Sequence, residues 1–152
     1  MDFIFDRAEN GQQIKILNII DNYSRKLLLT VGKSSLRACD VSSHLQTLFS
    51  LHGKPRSIIS DNGPEFRAEL LAKMLHNSRI EQLFIYPGKP WLNGYIESFN
   101  GKYRDEFLNM ESFANLIEFN EKALAFTAEY NQNRAHSALK YATPQEVFEK
   151  CS

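Results

Sequence analysis

The sequence predicts an α/β domain built on a five-stranded mixed sheet, three antiparallel strands followed by two more, flanked by helices. Three observations carry this. The first 31 residues hold three short apolar runs joined by turns, the hydrophobic period then changes to that of a helix, and strand-like and helix-like segments alternate from there on.

Taken in order, "DFIFD" at residues 2–6 alternates, "QIKILNII" at 13–20 is rich in Ile, and "KLLLTV" at 26–31 is a short apolar run. Asn10-Gly11 between the first two is a hairpin signal because both residues tolerate positive φ, and "DNYS" separates the second and third. Val41, Leu45, Leu48 and Phe49 then fall at helical spacing after "KSS", which can supply an N-cap, and the helix ends at Gly53 and Pro55. "RSIIS" is a buried fourth strand. Asp61-Asn62-Gly63-Pro64 turns it into a helix with the stripe Phe66, Leu70 and Met74.

"IEQLFIY" is the fifth strand, broken by Pro87-Gly88-Lys89-Pro90. From Leu92 the chain reads as helical, with Ile96, Phe99, Tyr103 and Phe107 on one face. Phe119, Ala123, Phe126 and Tyr130 mark a face of a second helix, serving either the core or a surface for pairing with another copy. Thr143-Pro144-Gln145-Glu146 is a capping box that opens a short last helix. One domain over residues 1–152 is expected, with 111–152 a helical C-terminal extension.

Composition narrows the class. Of 152 residues 43% are hydrophobic and 24% charged, which suits a globular domain, and no apolar run approaches the roughly 18 residues of a membrane span. The N-terminus is acidic where a signal peptide would be basic. Cys39 and Cys151 stand far apart with no metal-ligand spacing, as reduced thiols in a cytoplasmic protein do. Lys+Arg and Asp+Glu number 18 each, so any action on nucleic acid rests on local chemistry rather than bulk charge.

Three acids stand where the layout makes them useful: Asp2 on the first strand, Asp61 at the C-terminal end of the fourth, and Glu97 early in the long helix. Carboxyl ends of strands are where open α/β sheets bind ligands, and hard oxygen donors from separate elements suit Mg²⁺ or Mn²⁺. Spacing alone carries little weight, since roughly one or two acid pairs at the Asp61–Glu97 separation arise by chance from 18 acids. Context adds more. "SDNGPEF" puts Asp61 beside a small turn, and Asn93, Gly94, Asn100, Gly101 and Arg104 share Glu97's side of its helix, a face that a nucleic-acid backbone can approach. Asp21 reads as a turn acceptor, Asp6 as a strand-end surface charge, and His136 as a packing or capping residue. Trp91 reads equally as a packed anchor or as a stacking platform for DNA.

"IIDNYSR", "KPRSIISDNGPEF", "YPGKPWLNGYIESFNGKYRDEFLN" and "YNQNRAHSALKYATPQEVFEK" together resemble, in order and over nearly the whole chain, the catalytic core of bacterial insertion-sequence transposases of the OrfB type. These are DDE recombinases akin to retroviral integrases. The resemblance implies a ribonuclease H-like fold in which Asp2, Asp61 and Glu97 converge and hold two divalent ions, Mg²⁺ or Mn²⁺. Asp2 would bridge both ions, while Asp61 and Glu97 would bind one each. Water or a DNA 3′-hydroxyl would attack a phosphodiester, cutting and joining transposon ends. Asn62 would order the site beside Asp61, and Lys89, Asn93, Lys102 and Arg104 would meet DNA. Partners implied are transposon-end and target DNA and a second copy in a homodimer or higher oligomer. The family's N-terminal helix-turn-helix region is expected to be absent, and Ala135 stands where relatives usually carry Pro. The competing class is a catalytically inert transposon remnant that only oligomerises or binds DNA.

Overall fold

The computed structural model describes residues 1–85 and 94–151. Strands β1 (Asp2–Arg7), β2 (Gln13–Ile20) and β3 (Leu27–Lys33) form an antiparallel meander, with Asp2 opposite Asn18 and Ile16 opposite Gly32. The first turn closes as Asn10-Gly11 predicts: Gly11 takes φ +82° and the Asn10 side chain accepts from the Gln12 N–H at 3.0 Å. In the second turn Asp21 Oδ2 accepts from both the N–H and the hydroxyl of Ser24, each at 2.7 Å. That is the turn-acceptor geometry of an Asp-initiated turn.

Strands β4 (Ser57–Ser60) and β5 (Glu81–Phe84) pair parallel to each other. The expectation of one five-stranded sheet is therefore corrected to a three-stranded and a two-stranded sheet. At the seam the Met1 amino group donates to the Ile59 carbonyl at 2.7 Å. A ladder needs bonds from every second residue along both strands. Among the described residues the bond from Met1, just before β1, is the only backbone bond joining this strand to β4, so the pairing does not propagate.

Helix α1 (Ala38–His52) buries Val41, Leu45 and Leu48 in a core shared with Leu17 and Ile19 of β2 and Ile58 of β4. Its cap is Arg37 rather than a residue of "KSS": Asp40 Oδ2 accepts from the Arg37 N–H at 2.9 Å. The helix expected after Asp61 is two pieces, α2 (Pro64–Arg67) and α3 (Glu69–Asn77), broken at Ala68, whose ψ is 135°. The break turns the second piece, so the buried stripe is Phe66, Leu71 and Leu75, and Leu70 is 53% exposed.

The chain then forms α4 (Gly94–Tyr103), a π-helical turn (Arg104–Leu108), α5 (Leu116–Gln132), a 3₁₀ turn (Ser137–Leu139) and α6 (Pro144–Glu149). The Pro87–Pro90 break, the helix onset at Leu92, Lys89, Trp91 and Asn93 lie outside the described residues. Ile96, Phe99, Tyr103 and Phe107 are all buried, as their spacing predicts, and the π turn lets Leu108 follow Phe107 into the core. They pack with Phe113, Phe119, Phe126 and Tyr130 in a continuous aromatic layer, so Phe119 and Phe126 serve the core.

Helix α5 also covers the β3 edge. Asn131 bonds the N–H and carbonyl of Leu27, each at 2.9 Å, and Asn120 bonds those of Gly32 at 2.9 and 3.0 Å. Paired amides satisfy an edge that would otherwise present open backbone groups. Gly32 permits the approach, since a Cβ there would lie 2.4 Å from the Phe119 ring.

Candidate active site at the strand seam

The seam brings Asp2 and Asp61 together because β1 begins where β4 ends. Asp2 is half-buried, and one of its carboxylate oxygens accepts from the Phe3 N–H at 2.9 Å. Its other oxygen accepts from the Asn100 side-chain amide at 2.8 Å, and Asn100 in turn accepts from Asn18 at 2.9 Å. Burial pushes the Asp2 carboxyl above the usual carboxylate value, and the nearby Asp61 charge adds to the rise. The Phe3 N–H, the Met1 amino group and Asn100 oppose it.

Asp61 leaves β4 in a tight turn. Its Oδ1 accepts from the Gly63 N–H at 2.9 Å, and a Cβ on residue 63 would sit 3.0 Å from the same oxygen. A glycine there lets the carboxylate fold back over the turn. Next to it, the Asn62 amide donates to the Ile85 carbonyl at 2.7 Å and ties the end of β4 to the end of β5. Phe3 stacks on Phe66 at 4.7 Å, while Lys15 lies over the Phe3 ring and pairs with Glu65. Together these contacts fix α2, and the Asp61 turn before it, onto β1.

Glu97 is exposed on α4, one turn before Asn100. Residues three apart on a helix lie about 5–6 Å apart at Cβ, so Glu97 is one helical turn from the side chain that touches Asp2. It does not complete a cluster of three carboxylates here. Among the described residues no group of three His, Cys, Asp or Glu side chains is gathered closely enough to hold a metal ion. The amide of Asn100 holds the position facing Asp2. Among the predicted DNA contacts, Arg104 donates to the Phe5 carbonyl at 3.0 Å, and Lys102 is exposed near Glu106 and His136. His136 packs edge-on against Tyr130, a structural role.

Asn18 is the residue that sequence reasoning passed over. It is fully buried, stands directly across from Asp2 and orients Asn100. Its signal was present: a lone amide inside the apolar run "QIKILNII", which only a specific partner makes tolerable.

Comparison with known proteins bears on the same elements. The integrase core domain family matches residues 1–90, and a second integrase core domain family matches residues 78–144. The chain is 34% identical over 150 residues to the insertion element IS407 uncharacterized 31.7 kDa protein of Burkholderia multivorans, covering 99% of this chain and 54% of that protein. It is 35% identical to the insertion element IS476 uncharacterized 39.2 kDa protein of Xanthomonas euvesicatoria, covering 96% of this chain and 42% of that protein. It thus spans about half the length of these relatives.

Among solved structures, the HTLV-2 integrase catalytic core domain in complex with magnesium aligns with a TM-score of 0.70 at 19% identity, over 97% of this chain and 92% of that one. The catalytic core domain of BIV integrase aligns at 0.70 and 18%, over 99% and 93%. These likenesses show the fold, that of the retroviral integrase cores, which is ribonuclease H-like. Among the described residues no helix is long and apolar enough to cross a membrane. With both family matches falling on the strands and helices that build the seam, the chain belongs to the integrase core domain family.

Proposed function

We propose that this chain is the metal-dependent polynucleotidyl transferase core of a transposase, with Asp2, Asp61 and Glu97 as its carboxylates. The observation that carries the reading is the pair of like charges at the seam. Burying Asp2 beside Asp61 raises the energy of the ionised pair, which the Met1 amino group offsets only in part, and Asn100 from the helix of Glu97 is already bonded to Asp2. Two hard carboxylates on rigid strand ends form a donor set that suits Mg²⁺ or Mn²⁺. Asp2, Asp61 and Glu97 are the residues that would hold the ions, Glu97 once α4 presents it. When bound, the ions supply Lewis-acid activation of the attacking hydroxyl and stabilisation of the leaving oxygen.

The residues of the chain do the rest. Asn18 and Asn100 orient Asp2, the Gly63 N–H orients Asp61, and Asn62 holds the adjoining loops. Water or a DNA 3′-hydroxyl attacks the phosphorus, a new P–O bond forms, and the old one breaks to free a 3′-hydroxyl. Lys89, Asn93, Lys102 and Arg104 contact the DNA backbone, with the Arg104 bond to Phe5 holding that side chain against β1. The core works in the cytoplasm on transposon-end and target DNA as a homodimer or higher oligomer, and residues 111–152 form its helical extension.

The test is a crystal soaked in Mn²⁺. The expected result is anomalous density within ligand distance of at least two of Asp2, Asp61 and Glu97, lost in Asp61→Asn. Saturating Mn²⁺ with no density and Glu97 still a turn away would overturn the reading. Metal bound without strand cleavage or joining of end-containing DNA would favour the inert remnant, a reading to which the unassembled three-acid cluster gives its one support.

A further inference from the structure

Three polar side chains stand side by side across the antiparallel sheet. Asp2 of β1 is opposite Asn18 of β2, and Asn18 is opposite Thr30 of β3. Directly opposed residues of antiparallel strands share a face, with Cβ atoms about 4.5–5.5 Å apart. This face looks at α4. Asn100 bonds both Asp2 and Asn18, and Tyr103, one turn further on, shares a hydrogen bond with the Thr30 hydroxyl at 2.9 Å. Around the row the core is apolar, with Ile14, Ile16, Leu27 and Phe99 all buried.

Donor and acceptor chemistry orients the amides of this row. An ionised carboxylate only accepts, so Asn100 turns its nitrogen to Asp2 and its oxygen to Asn18. Asn18 therefore gives its nitrogen to Asn100, and its Oδ1 is left over. That oxygen is buried and finds no donor among the described residues, a costly state for an acceptor. The next hydroxyl along the row is that of Thr30. Of the two hydroxyls at 2.9 Å one donates to the other, so one proton of the pair is unclaimed. Tyr103 is fully buried, and burial raises its phenol above the ordinary 10, so it keeps its proton and can donate.

We propose that Thr30 and Tyr103 are positioning residues for Asp2: Tyr103 donates to Thr30, and Thr30 donates to Asn18 Oδ1, directly or through one buried water. The row then reads Tyr103, Thr30, Asn18, Asn100, Asp2, with every proton running toward the carboxylate. Hydrogen bonds in such a series polarise one another, so the last donor, Asn100, is strengthened by those behind it. The row also holds α4 to the sheet at two points one turn apart, which sets where Glu97 stands relative to Asp2. One Asp2 oxygen takes the Asn100 donor and the other the Phe3 N–H, so both keep lone pairs for a cation. That last consequence rests on the reading of Asp2 as a metal ligand.

Thr30→Val, Thr30→Ser and Tyr103→Phe test this, each close in shape to the residue replaced. NMR follows proton exchange of the Asn18 and Asn100 side-chain amides in metal-free protein, and titration calorimetry follows Mn²⁺ affinity. Thr30→Val is expected to speed exchange at Asn100 about tenfold. It should weaken Mn²⁺ binding about tenfold as well, the low end for loss of a group that supports a metal ligand. Thr30→Ser keeps the hydroxyl and should restore both. Tyr103→Phe should do less than Thr30→Val, because Thr30 still has its proton for Asn18. A Thr30→Val protein with lower Tm but wild-type amide exchange overturns the proposal, since the hydroxyl then only packs. So does a Thr30→Ser protein no better than Thr30→Val. If wild type takes no Mn²⁺ while Thr30→Val still frees the Asn100 amide, the metal reading falls and the row stands.

Discussion

The two ends of α4 live under opposite rules. Its C-terminal end, with the π turn that follows, places Tyr103 and Phe107 among Phe99, Phe113, Phe119 and Phe126, ring against ring at 5–6 Å. Its N-terminal end carries an exposed Glu97 and leans Asn100 on an acidic seam where two sheets meet beside a cavity. Aromatic burial supplies stability without regard to chemistry, whereas a like-charge pair lowers stability and readies a site for cations. The fold keeps the two jobs on neighbouring turns of one helix, so the first can support the second.

The largest effect that could break this contrast is Phe107→Ala. Emptying a buried aromatic site costs about 3–5 kcal/mol, which for a chain of this size is a fall in Tm on the order of 10 °C. Thermal and urea unfolding measure it. A loss under about 1 kcal/mol would mean that the aromatic layer is not where stability resides.

Next comes Asn100→Ala, at the junction of the two regions. It leaves the buried Asn18 amide without its acceptor and removes one of the two donors to Asp2, and unsatisfied groups of this kind cost about 1–3 kcal/mol. It should also weaken Mn²⁺ binding, measured by titration calorimetry, by more than its stability loss explains. A variant with lower Tm and unchanged Mn²⁺ affinity would make Asn100 a purely structural residue.

The same contrast decides what was legible in the sequence. The aromatic end announced itself, because Ile96, Phe99, Tyr103 and Phe107 repeat at helical spacing and packing follows spacing. Asp61 and Gly63 were legible as a turn at a strand end, since a short-range bond needs only neighbours in sequence. Long-range matters were not. Asn18 is 82 residues from the amide it binds, so its role depends on a register that only the folded sheet sets. The stripe after Asp61 was misread for a related reason: one extended residue, Ala68, rotates the following helix and buries Leu71 in place of Leu70. The single sheet failed because pairing of β1 with β4 depends on where β1 lies along the seam, a quantity that hydrophobic pattern does not encode.

Asp61→Asn reverses the usual sign. It keeps the oxygen that accepts from Gly63 and removes the charge facing Asp2, so it should raise Tm at pH 7 by about 1–3 °C. The pH dependence follows from the raised Asp2 carboxyl. The folded protein holds that proton more tightly than the unfolded chain, so ionising Asp2 costs stability as pH climbs above the ordinary 3.8. The advantage of Asp61→Asn should therefore be full at neutral pH and fade toward pH 3.8. In Mg²⁺ or Mn²⁺ the ranking should invert, because wild type gains from binding and the variant does not.

Arg134→Gln should produce the smallest change and shows what the aromatic end does not need. Arg134 pairs with Glu106 of the π turn, and the guanidinium holds the Glu106 carboxyl below its usual value. A depressed carboxylate contributes stability that is present above its unfolded value, 4.5, and is lost as pH falls through the lower folded value. Both side chains are partly exposed, so solvent screens the pair and its removal should cost under about 1 kcal/mol at pH 7. The difference from wild type should shrink in high salt and disappear as pH falls through the lowered Glu106 value. A loss approaching that of Phe107→Ala would show that the π turn is held by its ion pair and that the rings merely fill the space it leaves. A small, salt-sensitive loss would leave the rings as the cause and the charges as a surface trim.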